Sequence, residues 1–164
     1  SKRNKFVSME ENIDNSYAQI DVQLKRRYDL IPNLVETVKG YAKHETETLG
    51  KVVELRNAAE SARNINEEMK INVEINQALS RLIALAEAYP NLKADTSFLR
   101  LQDALNDTED KISIARQVYN DCVTKLNKAI KMFPGNIVAG MFGFDEKQYL
   151  ETSESERENV RVKF

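Results

Sequence analysis

Histidine and cysteine carry much of the nucleophilic and metal-binding chemistry of proteins, and this chain has one of each, His44 and Cys122. A di-metal centre inside a helical bundle needs paired Glu-x-x-His motifs, because carboxylates and imidazoles must converge between facing helices. No glutamate stands three residues before His44, which reads as a solvent-facing helical histidine. Cys122 falls between Tyr119 and Leu126 on an apolar stripe. That setting predicts a small buried thiol whose ionisation is disfavoured, whereas a reactive cysteine wants an electropositive, partly open site. No glycine-rich phosphate loop and no nucleophile elbow occurs. Asn106-Asp107-Thr108 fits the glycosylation pattern but lies within a predicted helix. These residue types predict no enzyme, no metal and no cofactor.

Polar residues at apolar-stripe positions say more. Glu45 falls between Ala42 and Leu49, and Arg56 between Val52 and Ala59. Arg27 follows Leu24, Asn76 flanks a third stripe, and Arg116, Asn120 and Asn127 border a fourth. Such groups are costly to bury unless paired, so an internal polar network or snorkelling side chains is the first expectation. A ligand site is the second. Tyr17, Glu45 and Asn76 are expected to share one layer, with Glu45 largely buried against a hydrogen-bond donor.

The elements that must position these residues are helices. Apolar residues recur in steps of three and four at Ile13, Tyr17, Ile20 and Leu24, then from Ile31 to Ala59, from Ile71 to Tyr89, and from Phe98 to Phe133. No strand-like alternation appears. Pro32 lacks a backbone donor and Asp29 can cap a new helix, so a reversal is predicted between Tyr28 and Asn33. The stripe keeps its phase across Pro32, which leaves one long helix as the competing reading. Residues 63–66 and Tyr89-Pro90-Asn91 mark the next breaks, Asp95 or Thr96 can cap the last helix, and Pro134-Gly135 ends it.

Segments of about 27, 31, 26 and 38 residues would be about 40 to 57 Å long, matched well enough to bury one another. The fold class is therefore all-α, an antiparallel up-down-up-down four-helix bundle with a short C-terminal arm. Residues 1–134 form the bundle, and 135–164 are an arm and polar tail of the same domain. The apolar, glycine-punctuated Ile137–Phe144 stretch is expected to pack over the bundle's end. Contact with a membrane interface is its other reading.

Charge and length narrow the partners. Lysine and arginine number 24 against 26 acidic residues, a net charge of −2 that argues against nucleic acid. A single cysteine excludes an intramolecular disulfide. No apolar run reaches membrane-spanning length, so the chain as it stands is expected in solution.

The stretch from Asp21 to Tyr41, DVQLKRRYDLIPNLVETVKGY, resembles the signature of the bacterial LemA family. His44-Glu45, Arg56, Tyr89-Pro90-Asn91-Leu92-Lys93, Phe98, Leu101, Ala115-Arg116, Tyr119-Asn120 and Phe133-Pro134 continue the likeness over residues 8–150. The resemblance implies an antiparallel four-helix bundle on the cytoplasmic side of the cell membrane, behind one N-terminal transmembrane helix. It carries over no catalytic residue and no cofactor. Lys2, Arg3 and Lys5 suit the cytoplasmic flank of such an anchor. The leading expectation is a single-pass, membrane-tethered scaffold domain that offers helix faces to an unidentified protein partner. The alternative is a soluble small-ligand binder or enzyme built on the polar stripe residues.

Overall fold

A proline inside a helix removes one backbone donor and crowds the carbonyl four residues earlier. At Pro32 that carbonyl belongs to Tyr28. The chain nevertheless does not turn there. The computed structural model describes residues 2–132, 135–143 and 147. Its helices are α1 (Lys2–Lys39), α2 (Thr46–Glu60), α3 (Ile65–Ala86), α4 (Pro90–Lys93), α5 (Thr96–Lys131) and α6 (Gly135–Phe142), with no strand among the described residues. Pro32 sits inside α1. The reversal predicted at residues 28–33 is thus corrected to Gly40–Glu45, about two turns of helix later.

A donor from another helix explains why α1 survives its proline. Arg56 of α2 donates from Nε to the Tyr28 carbonyl at 2.8 Å, satisfying the acceptor that Pro32 cannot. The unbroken phase of the apolar stripe is the signature of this continuity. His44 accordingly lies exposed in the turn between helices, not on a helix.

The later boundaries follow local chemistry. Asn64 caps α3 by accepting from the Glu67 backbone N–H at 2.8 Å, and Glu67 returns a bond by accepting from Arg63 N–H at 3.0 Å. Pro90 opens the single turn α4, where its missing donor costs nothing. Asp95 caps α5 by accepting from Phe98 N–H at 2.9 Å.

The residues gather into two compact units, and α1 and α5 contribute to both. In the first, Ser1–Leu24 with Glu109–Leu150, the facing stretches of α1 and α5 run antiparallel. Ser16 Oγ lies 3.8 Å from Cys122 Sγ, and the rings of Tyr17 and Tyr119 are 6.4 Å apart. Phe6, Ile13, Val123 and Leu126 form the core there, joined by Ala139 of α6. Cys122 packs beside this core but is half-buried, more open than its stripe position suggests. The arm is a helix despite its glycines. It seats Ala139 in the core. Expectations for Phe133, Pro134, Phe144 and the tail 151–164 fall outside the described residues.

The second unit is described over Lys25–Thr108. Its buried apolar residues come from every helix in it: Ile31 and Val38 of α1, Val52 of α2, Ile75 and Leu82 of α3, Leu92 of α4, and Phe98 of α5. Arg26 pairs with Asp107 of α5 at 2.6 Å, a half-exposed bridge of modest value.

The Pro32–Arg56 relation is open to a double-mutant cycle. Replacing Arg56 by Met should cost about 1–2 kcal/mol in the parent, because it strands the Tyr28 carbonyl. In a Pro32→Ala background, where the introduced backbone N–H can serve that carbonyl, the same replacement should cost about 1 kcal/mol less. Equal costs in urea unfolding of both backgrounds would refute the compensation.

Candidate functional site

Arg27 and Tyr28 are consecutive on α1 and both buried, with Arg27 only 2% exposed. A buried guanidinium must find acceptors or lose several kcal/mol to desolvation. One terminal nitrogen of Arg27 donates to Asn72 Oδ1 at 3.0 Å, and the other donates to Asn76 Oδ1. The Asn72 amide then donates from Nδ2 to the Tyr28 hydroxyl at 2.8 Å and to the Glu68 carbonyl at 2.9 Å. Tyr28 in turn donates to Glu68 Oε2 at 2.6 Å.

Donor direction therefore runs from guanidinium through amide and phenol to carboxylate. The arrangement is an ion pair stretched over two neutral groups. Glu68, Asn72 and Asn76 are spaced by four on α3 and so present one polar ridge to α1. Burial, and next the hydrogen bond to Glu68, push the Tyr28 phenol far above its ordinary value; the Asn72 bond and the Arg27 charge oppose this only in part. The shift favours Tyr28 as a neutral donor to Glu68.

Arg56 joins through the backbone. Besides its bond to the Tyr28 carbonyl, it donates to Asn57 Oδ1 at 3.2 Å and pairs with Glu60 at 3.3 Å. Tyr28 is thus held at its carbonyl by α2 and at its hydroxyl by α3.

Glu45 belongs to a separate arrangement at the loops. It is half-buried rather than largely buried, and it accepts from the Tyr89 hydroxyl at 3.0 Å. Reciprocally, Tyr41 donates to Asp95 Oδ2 at 2.6 Å. The loop after α1 and the segment before α5 are therefore laced by two crossed tyrosine–carboxylate bonds. Each bond raises its phenol, and the Tyr41 bond, followed by the Phe98 N–H, lowers the Asp95 carboxyl.

Glu45 and Asn76 do not share the layer expected from the sequence, and Tyr17 belongs to the other unit. Tyr17 meets Tyr119, Glu45 meets Tyr89, and Asn76 meets Arg27. The register counted from a turn at Ile31 is displaced because α1 runs on to Lys39.

Arg116, Asn120 and Asn127 lie in the first unit, apart from these contacts. Arg116 and Asn120 are half-buried, and the Asn120 carbonyl accepts from Thr124 Oγ1 at 2.9 Å. Asn127 clamps the backbone of Lys147, donating to its carbonyl and accepting from its N–H, both at 2.8 Å. Tyr28, Glu68 and Asn72 were not singled out from the sequence. The four-residue spacing of 68, 72 and 76 is the signal that could have found them. Among the described residues no three His, Cys, Asp or Glu side chains are grouped to hold a metal ion.

The fold and this interior define an all-helical protein in which buried Arg27, Asn72 and Tyr28 are hydrogen-bonded across helices, while the Nε of Arg27 is a buried donor with no hydrogen-bond acceptor among the described residues. Residues 16–164 match the model of the LemA family, and the chain belongs to that family. It is 26% identical to Protein LemA of Metamycoplasma hominis over 163 residues, covering 97% of this chain and 73% of that protein. It is 24% identical to Magnetosome protein MamQ 2 of Paramagnetospirillum magneticum, over 90% of this chain and 64% of the relative. Magnetosome protein MamQ of Magnetospirillum gryphiswaldense is also 24% identical, over 89% of this chain. The chain spans 63% of that relative's length.

Two outcomes follow from this geometry. Arg27→Met should destabilise the protein by about 3–5 kcal/mol in urea unfolding, since it strands the Asn72 and Asn76 oxygens and the Glu68 charge. A loss below about 1 kcal/mol would show the network to be energetically idle. For the crossed bonds, Asp95 is lowered, so its contacts stabilise the fold above the ordinary carboxylate range. That contribution disappears as pH falls through the lowered value. Tyr41→Phe should move the Asp95 titration, read by carboxyl NMR, upward toward the ordinary range. No movement would show that the Tyr41 bond does not form in solution.

Proposed function

We propose that this chain is the non-catalytic scaffold part of a membrane-anchored LemA-family protein, offering helix surfaces to a protein partner on the cytoplasmic side. The observation that carries the reading is the direction of the buried hydrogen bonds. Arg27, Tyr28, Asn72 and Asn76 aim at one another and at Glu68, so the polar groups best suited to chemistry hold helices in register. The likeness to relatives named magnetosome proteins points the same way, to a part in a larger assembly.

Within the second unit, we read the later part of α1, then α2, α3 and the early part of α5, as an antiparallel up-down-up-down bundle. The crossed Tyr41–Asp95 and Tyr89–Glu45 bonds support this, because they bring the α1–α2 and α3–α5 connections to one end. Tyr41, Lys43, Pro90 and Asn91 are exposed at that end and form the surface proposed for the partner. Among the described residues no helix is long and apolar enough to cross a membrane. On this reading the tether is a segment outside them.

One feature favours the soluble ligand binder instead. A groove of about 690 Å³ in the second unit is lined by Thr46, Lys51, Glu54 and Arg81 among others, and suits a small zwitterion. Fractionation of the native gene product separates the two readings. The scaffold reading expects it in the membrane fraction, with photo-crosslinks to a partner from position 91. A product that stays in solution after lysis, with no such crosslink, would overturn it in favour of the ligand binder.

A further inference from the structure

The helix α6 has two unlike faces. Ala139 points into the core of the first unit beside Phe6 and Leu126. Ile137 and Met141, four residues apart and roughly 160–200° around the helix from Ala139, are 50% and 73% exposed. Met132, just before α6, is 65% exposed. No charged residue occurs between Gly135 and Phe142. On α5 of the same unit Ile114 and Val118 form an exposed apolar pair too, but among charged neighbours; α6 differs in carrying no charge at all, which requires an explanation.

The charge around it supplies one. The antiparallel pairing of α1 and α5 brings the start of α1 and the end of α5 to the same end of the unit, where Phe6 shares a core cluster with Leu126 and Ala139. Arg3, Lys5, Lys128 and Lys131 are exposed there. From Cys122 to Met132 the sequence has no acidic residue, and on α1 the first is Glu10. Glu10 and Glu11 follow on α1, and Asp145 and Glu146 follow α6 in the sequence, four acids against Lys2, Arg3, Lys5, Lys128, Lys131 and Lys147, so the excess of charge is basic. Lysines in the last turn of α5 also suit the helix dipole. The dipole accounts for neither the bare apolar face nor the basic start of α1, where a cation is unfavourable.

We propose that the Ile137–Met141 face of α6, rimmed by these four cations, is a contact surface for an anionic lipid bilayer. The apolar side chains enter the headgroup boundary, and the cations meet phosphate at the same depth. One short helix binds weakly by itself, so the contact is reversible and sensitive to salt. It orients the first unit on a membrane to which the protein is held by other means. The contact needs no tether, and its failure leaves the fractionation result above untouched.

The chain has no tryptophan, so a single one reports its own surroundings. Met141→Trp in the full 164-residue chain should show blue-shifted emission on phosphatidylcholine vesicles containing phosphatidylglycerol. Brominated acyl chains should quench it, and high salt should reverse it. Ile114→Trp, at an exposed site on α5 of the same unit, should not respond. Lys128→Glu with Lys131→Glu should lower partitioning by about thirtyfold or more at low salt, at about 1 kcal/mol for each lysine lost. All four side chains are exposed, and unchanged far-UV circular dichroism would verify folding of each variant. Absence of a shift at position 141 on anionic vesicles would overturn the proposal. So would equal responses from both probes, or a shift at 141 that follows protein concentration without lipid and so reports a second copy of the chain.

Discussion

Pro32 takes the hydrogen-bond donor away from the carbonyl of Tyr28, and Arg56 supplies the replacement from α2. Much of the second unit depends on that exchange. Because the acceptor is satisfied, α1 runs on to Lys39, and the chain reverses at Gly40–Glu45. The reversal at that point sets Tyr41 and Glu45 opposite Asp95 and Tyr89. It also leaves Arg27 and Tyr28 in mid-helix, where they meet the polar ridge of α3 instead of capping a turn.

The interior charge is managed economically. Two terminal nitrogens of Arg27 donate to asparagine oxygens, and Asn72 and Tyr28 carry the chain of hydrogen bonds on to the negative charge of Glu68. Neutral intermediates spread the desolvation over several groups, each of which has a hydrogen-bond partner. Such a chain is selective about register. Sliding α3 by one residue would set Val73 or Ile71 where Asn72 now stands, and a buried guanidinium would face a methyl group.

What could be read from the sequence depended on whether the deciding interaction was local. Asn64 and Asp95 cap helices through bonds spanning three residues, so the starts of α3 and α5 were visible in the pattern. Pro32 carried an equally strong local signal and misled, because its partner Arg56 lies 24 residues away on another helix. Arg27, Arg56 and Asn76 stood out as polar groups on apolar faces. Tyr28 did not, since a tyrosine suits a stripe whether or not its hydroxyl is engaged. Cys122 shows the limit of periodicity in another way: spacing assigns a face, but only packing assigns depth, and the thiol lies at the margin. The separation of the polar residues between two units has no counterpart in the spacing at all.

Asn127 imitates a length of backbone. Its amide presents one donor and one acceptor to Lys147 as a neighbouring strand would, and so closes a loop of 20 residues that contains α6. A helix of eight residues has little intrinsic tendency to form and a small face with which to dock. Closing the chain on both sides of it removes most of the search. The docking of Ala139 becomes an event between groups already confined, at an effective concentration set by the loop and not by the strength of the contact. One buried amide therefore lets a marginal helix stay seated while its outward residues are released from any duty to the core.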